Sequence, residues 1–316
     1  MRPVIVTGSI SIDRIMNFAG SYKDLIAPDK LHVLSLSVLI DSLVDSRGGT
    51  AGNIAYNLAL LGEHPIILSA VGDNTESYLS NLASLGVDTT RIHKSSLPTS
   101  TFTVLTDQDN NQVGGFYPGA MSDSDSLTLS PWYDQDPLVL IGAYDPSCMR
   151  RFVAECQAHN LEYIYDIGQQ VSNVKAEDLV AGIKSARILI LNDYELGVLS
   201  KRTKLTVEEI KSQVPLVVTT LGKEGSVIEG NSVKEKVMIS AVPGITPLDP
   251  TGAGDAYRAG FIHGYLRSLD LHVCGQLGSV AASYTVELVG TQTHSYTIDE
   301  FRTRYQQIYR ENYAKE

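Results

Sequence analysis

The sequence is poor in the features that mark special environments. It has three cysteines in 316 residues, Cys148, Cys156 and Cys274. An odd count at wide spacing fits neither a disulfide framework nor a zinc site, so idle thiols in a reducing compartment are expected. No apolar run reaches the roughly 20 residues that a membrane-spanning helix needs. The opening residues turn to Gly8 and Ser9 too soon for a signal peptide, and a soluble, cytoplasmic protein is expected. Blocks of like charge, low-complexity linkers and internal repeats are missing. So is any Gly-x-x-x-x-Gly-Lys-Ser/Thr run, which excludes a P-loop. Basic residues are also in deficit: 25 Lys and Arg against 36 Asp and Glu leave a net charge of −11. Such a chain repels phosphodiesters and anionic lipid, so nucleic acid and membrane are discounted as main partners. A nucleotide is not discounted, because a local pocket of backbone amides binds phosphate in an acidic protein.

What is present is ordinary globular composition, with 43% hydrophobic residues and 26 glycines. Residues 4–8 read as a buried strand, and 12–18 as a second extended piece. Helices are expected over 54–61 and 76–85, each closed by a glycine, Gly62 and Gly86. Residues 99–107 and 112–117 flank a turn rich in Asp and Asn and read as a hairpin. With 12–18 and 32–40 it is expected to form a small separate sheet. From residue 138 strands and helices alternate: strands at 138–141, 163–166, 187–191 and 216–221, helices at 147–159, 176–185 and 194–200. A β-rich piece follows at 225–238, then helices at 254–269, 273–288 and 298–313. Alternation of this kind predicts an α/β fold with a doubly wound, mostly parallel sheet flanked by helices. A single domain over 1–316 is expected, with lid strands drawn from roughly 12–40 and 99–117.

Chemistry concentrates in Asp249-Pro250-Thr251-Gly252-Ala253-Gly254-Asp255-Ala256-Tyr257-Arg258-Ala259-Gly260-Phe261. A Gly-rich loop runs straight into a helical pattern. Glycines let amides approach a phosphate, and a helix N-terminus offers unpaired donors to it. Asp255 stands where it could take a proton from an attacking hydroxyl, or could simply cap the helix. The third glycine of a dinucleotide fingerprint is absent.

This segment closely resembles the signature of the ribokinase-like (PfkB) family of carbohydrate and nucleoside kinases, with Pro250 where most members have Thr. Residues 48–62, opening Gly48-Gly49-Thr50-Ala51-Gly52-Asn53, resemble the family's second signature, and the resemblance covers nearly the whole chain. It implies a ribokinase-like fold with a small β-sheet lid and an ATP-dependent kinase. Gly252, Ala253 and Gly254 would form an anion hole, with Asp255 the base. Asn192 and Glu195 match a motif supporting magnesium and phosphate, with Glu195 acting on Mg2+ directly or through water. Read alone, the two are a helix cap and a first-turn acid. Thr220, Gly222 and Gly225 match the nucleotide-binding strand and turn. Asp249 and Thr251 stand where potassium-binding members place K+ ligands.

For the acceptor, Ser9 and Asp13 match the family's sugar-recognising strand, and Gly48, Gly49 and Asn53 would touch the same sugar. Asp13 can accept from two vicinal hydroxyls. The segments 35–41, Arg47-Gly48-Gly49, Phe116-Tyr117-Pro118-Gly119-Ala120-Met121-Ser122 and Asp166-Ile167-Gly168-Gln169-Gln170 resemble bacterial adenosine kinases of this type, as does Asp249-Pro250-Thr251. That implies Phe102 and Phe116 stacking on a purine, with Met121, Gln169 and Gln170 nearby, and a homodimer through the lid. Lid packing is the plainer reading of the two phenylalanines. The expected acceptor is the primary 5′-hydroxyl of a purine nucleoside, adenosine foremost. A free-sugar kinase of ribose or fructose type, a kinase of another nucleoside, and a catalytically silent nucleoside or nucleotide sensor remain open.

Overall fold

The computed structural model describes residues 2–26, 33, 35–109 and 111–313. Strand β1 (Val4–Thr7) leads to β2 (Ser11–Asn17), the short helix α1 (Tyr22–Leu25) and β3 (Ser42–Gly48). Helix α2 (Thr50–Leu60), β4 (Ile66–Leu68), β5 (Ala70–Val71), α3 (Glu76–Ser84) and β6 (His93–Lys94) follow, then β7 (Ser100–Thr106) and β8 (Gln112–Tyr117). The alternating part runs β9 (Leu138–Ile141), α4 (Pro146–His159), β10 (Glu162–Tyr165), α5 (Ala176–Ser185), β11 (Ile188–Asn192), α6 (Asp193–Thr203), α7 (Val207–Gln213), β12 (Leu216–Thr220), β13 (Ser226–Glu229) and β14 (Val237–Ile239). Helices α8 (Ala253–Leu266), α9 (Leu271–Val286) and α10 (Ile298–Tyr309) close it.

The main sheet has the order β14-β13-β12-β11-β10-β9-β1-β4, parallel from β12 to β4 and antiparallel at β13 and β14. Its central strands are short runs buried on both faces, as parallel strands must be. In β9, Leu138 and Leu140 join the core beneath α2 and α8, while Val139 and Ile141 join the one beneath α4 and α5. The doubly wound expectation therefore holds. From β1 the chain first crosses to the edge strand β4 and later returns on the other side through β9. Ligands of open α/β sheets lie at such a reversal, off the carboxyl ends of the strands.

Local signals explain most helices. Asp145 caps α4 by accepting from the Ser147 and Cys148 amides at 2.9 and 3.1 Å. Thr297 and Glu300 form a capping box on α10. The unexpected helix α7 has the same start, Thr206 with Glu209. Its seven residues bury only Ile210, too little apolar periodicity to stand out in the sequence. The β-rich piece at 225–238 resolves into two antiparallel strands, β13 and β14.

The lid is a separate sheet in the order β3-β2-β7-β8. Its hairpin lies where expected, although Asn110 of the turn is outside the described residues. The third strand needs correction. Residues 35–40 carry no strand, and His32 and Leu34 lie outside the described residues. Strand β3 instead forms at Ser42–Gly48, antiparallel to β2 from Ser11 opposite Gly48 to Asn17 opposite Ser42. Propensity does not select Ser42–Gly48, which is mostly polar. Pairing won because β3 runs directly into Gly49 and α2, so its register is set by the chain's return to the core.

Candidate active site

The site collects at the carboxyl ends of the parallel strands. Ser9 follows β1, Asp166 follows β10, Asn192 ends β11 and Thr220 ends β12. Each residue comes from a different crossover, so the sheet gathers what the sequence spreads across more than 200 positions.

Helix α8 starts at Ala253 behind Gly252, whose φ of 80° is open chiefly to glycine. Asp255 is the third helical residue, so it is not the cap. Its Oδ2 accepts from Asn53 Nδ2 at 2.8 Å. Burial raises the Asp255 pKa above the usual carboxylate value; Arg258 and the Asn53 hydrogen bond pull it down, and Asp13 and Glu195 push it up again. Asn53 was expected at the start of its helix. It lies one turn inside α2, which opens at Thr50 behind Gly49, and this turn is what aims its amide at Asp255.

Asp13 lies on β2 with Ser11 Oγ donating to its Oδ1 at 2.9 Å, and burial raises its pKa despite that bond. Gly48, opposite Ser11, leaves room for that carboxylate: a Cβ there would sit 2.2 Å from Asp13 Oδ2. Ser9 Oγ receives the Thr50 amide at 3.3 Å, holding the start of α2 to the end of β1.

Asp13 is in register with Ser46 on β3 and Phe102 on β7, and Phe102 with Phe116 on β8. Residues paired across neighbouring strands share a face. Ser46, Asp13, Phe102 and Phe116 therefore form one row across the lid: two polar groups, then two aromatic rings. The rings are 37% and 46% exposed, which is not the state of packed lid aromatics. Met121, expected beside them, is 5% exposed and belongs to the core with Leu127 and Trp132. It sits on a tight turn whose inward face fills that core, which leaves little of it for a ligand. Gln169 is exposed, and Gln170 Oε1 accepts from Asn173 Nδ2 at 2.9 Å.

On the other side of Asp255 lies a cavity of about 490 Å3, of a size for a nucleotide. Thr220, Gly222 and Gly225 line one wall, Pro250, Ala253 and Gly254 another, and Val242, Ile245 and Val286 supply apolar surface. The loop entering α8 is held by Asp249, whose Oδ1 and Oδ2 accept the Thr251 and Gly290 amides, both at 2.9 Å.

Asn192 and Glu195 form a reciprocal capping box at the head of α6, with bonds of 2.8 and 2.9 Å. Glu195 is 8% exposed and its pKa is raised, chiefly by burial. Among the described residues, no group of three or more His, Cys, Asp or Glu could hold a metal. One buried carboxylate fits a magnesium ion that arrives on nucleotide phosphates with its own waters, and does not fit an all-protein cage.

Sequence reasoning passed over Arg258, Asp166, Tyr78 and Gln292 as site residues. Arg258 carried a signal: a charge inside the apolar stretch from Ala256 to Phe261. It is 8% exposed, bonds Asp166 at 2.7 Å, and lies so close to Gly254 that a Cβ there would stand 2.7 Å from Nη1. Gln292 and Tyr78 carried none.

The model of the pfkB family carbohydrate kinases matches residues 4–298. The chain is 32% identical over 298 residues to the nucleoside kinase of Methanothermobacter thermautotrophicus, covering 93% of this chain and 92% of that one. The nucleoside kinase of Burkholderia thailandensis in complex with inosine is 29% identical, with a TM-score of 0.87, covering 98% of this chain and 99% of that chain. The same protein in complex with ADP-inosine gives a TM-score of 0.86 at 29% identity, covering 99% and 98%.

Proposed function

Because the chain belongs to the pfkB family of carbohydrate kinases, and is an ATP-dependent kinase of the nucleoside and carbohydrate class, we propose that it phosphorylates the 5′-hydroxyl of a purine nucleoside. The observation that carries this reading is the lid row, where a carboxylate that suits ribose hydroxyls stands beside two exposed aromatic rings that suit a flat base. Relatives named as nucleoside kinases, one in complex with inosine, support the same class of acceptor. Adenosine is the expected purine nucleoside, with inosine the nearest competitor.

In this reading Asp13 accepts from ribose hydroxyls, Asn53 donates to a ribose oxygen, and the base stacks on Phe102 and Phe116. Asp255 takes the proton of the 5′-hydroxyl as that oxygen attacks the γ-phosphorus of ATP in line. Its raised pKa makes it a better proton acceptor than an exposed aspartate. ATP lies in the cavity beside Thr220, Gly222 and Gly225. The amides of Gly252, Ala253 and Gly254 at the head of α8 meet the charge that develops on the transferring phosphoryl group. Magnesium would neutralise phosphate charge, with Glu195 available to it directly or through water. Asp249 and Thr251 would offer potassium the loop that Asp249 already orders. The lid keeps out water, which would otherwise compete as acceptor. A homodimer through the lid belongs to the same proposal.

An ADP-release assay across adenosine, inosine, guanosine, cytidine, ribose and fructose tests it. Release with purine nucleosides and little with free sugars is the expected result. Release with ribose or fructose alone would overturn the nucleoside reading, and no release with any acceptor would point to a sensor.

A further inference from the structure

A chain of buried side chains runs from Asp255 to the end of lid strand β3. Asn53 Nδ2 donates to Asp255 Oδ2, and Asn53 Oδ1 accepts from Gln292 Nε2 at 2.9 Å. Gln292 Nε2 also donates to Tyr78 Oη, which donates to the Gly48 carbonyl at 2.9 Å. Asn53, Gln292 and Tyr78 are 4%, 8% and 2% exposed, so water does not substitute for these partners.

The polarity of the chain has one solution. A carbonyl only accepts, so the Tyr78 hydroxyl must donate to Gly48 and accept from Gln292. The Gln292 amide nitrogen therefore faces both Tyr78 and Asn53. Asn53 must then present oxygen to Gln292 and nitrogen to Asp255. The opposite end demands the same direction, because an ionised Asp255 also only accepts.

We infer that Gln292 is a positioning residue for phosphoryl transfer: it fixes Asn53 as a hydrogen-bond donor to Asp255 and, through Tyr78, ties that donor to the end of lid strand β3. The inference rests on the reading of Asp255 as the base. The neighbours of Gln292 reinforce it. Thr291 Oγ1 donates to the Arg47 carbonyl at 2.7 Å, so the residue before Gln292 holds the carbonyl of β3 next to the one that Tyr78 holds. His294 Nε2 lies 2.9 Å from Asn57 Oδ1, and Asn57 Nδ2 donates to the Asn53 carbonyl at 2.9 Å, bracing α2 at the same turn.

Two consequences follow for the acceptor. With Asn53 Oδ1 turned to Gln292 and one Nδ2 hydrogen given to Asp255, the second Nδ2 hydrogen is the donor left to meet a sugar oxygen. The other oxygen, Asp255 Oδ1, stays free for the proton of the attacking hydroxyl.

Gln292→Met keeps length and loses both donors, so it separates packing from orientation. Asp255 also faces Arg258 on its own helix, Asp13 on β2, Glu195 on α6 and Asp166 after β10, and the substitution touches none of them. An Asn53 amide no longer held as a donor lets the Asp255 pKa rise, which moves the acid limb of kcat/KM to higher pH. The expected result is a kcat about 10-fold lower, an unchanged KM for ATP, and an acid limb displaced upward. Tyr78→Phe should move both in the same direction by less. A folded Gln292→Met enzyme with the wild-type acid limb overturns the inference, whether or not its rate falls, since a rate loss alone would be packing. If Gln292→Met does not fold, an unchanged profile in Tyr78→Phe overturns it. Asp255→Asn run alongside separates the two claims: full turnover there removes the base assignment itself.

Discussion

Arg258 and Asp166 form a buried ion pair directly behind the loop that opens α8. Arg258 Nη2 donates to Asp166 Oδ1 at 2.7 Å, and Nε stands 2.6 Å from Oδ2 as a charge contact off the hydrogen-bond line. The two are 8% and 1% exposed. Burial raises the pKa of Asp166 even against the Arg258 charge, and Asp255 adds to that rise. One guanidinium thus faces three carboxylates, Asp166, Asp255 and Glu195.

Removing one member of such a pair leaves a buried charge without its counterion. Arg258→Met is expected to lower unfolding free energy by about 3–5 kcal/mol. Arg258→Met with Asp166→Leu should recover part of the loss. Chemical denaturation of both proteins checks this, and equal losses would mean that the charge pair is not the cause.

Asp255→Asn keeps the shape and the bond to Asn53 within reach while removing the proton acceptor. Turnover is expected to fall about 10²–10⁴-fold, with the nucleoside Kd near wild type. Steady-state kinetics together with equilibrium binding read the two quantities separately. A mutant with comparable turnover would leave the base unassigned.

Phe102→Ala should weaken nucleoside binding about 2- to 10-fold, the worth of one aromatic contact, and leave kcat at saturating substrate nearly unchanged. Titration calorimetry with adenosine and inosine measures it. An unchanged Kd would return Phe102 to lid packing.

His294 is held neutral by burial, which lowers its pKa to about 4 from 6.5. In the unfolded chain it takes up a proton at higher pH, so acid favours unfolding. Its contribution is complete above pH 6.5 and is lost as pH falls towards 4, amounting to a few kcal/mol, on the order of 3. Unfolding free energy measured across that window should fall more steeply with acid in the wild type than in His294→Gln.

Much of this was legible before any coordinates. The run from Asp249 to Phe261 carries its own helix start, because glycine at 252 and the apolar residues after it leave the chain little choice. The alternating strands and helices after residue 138 declared a parallel sheet, since only crossover helices explain runs buried on both faces. Phe102 and Phe116 were singled out by the family resemblance, on a hairpin whose ends the sequence marks clearly. Strand β3 was misread, because Ser42–Gly48 is mostly polar and becomes a strand only by pairing with β2.

The sequence by itself therefore determined most of the elements and the residue types at their ends, where local propensity, capping and glycine decide. The tertiary structure alone decided which of those ends meet. Asp255 meets Asn53 across 202 positions, and Asn53 meets Gln292 across 239. No local preference encodes such contacts. They follow from the order in which parallel crossovers bring strand ends to one edge of the sheet, and the direction of each hydrogen bond follows from the single carbonyl of Gly48 at the end of the chain of donors.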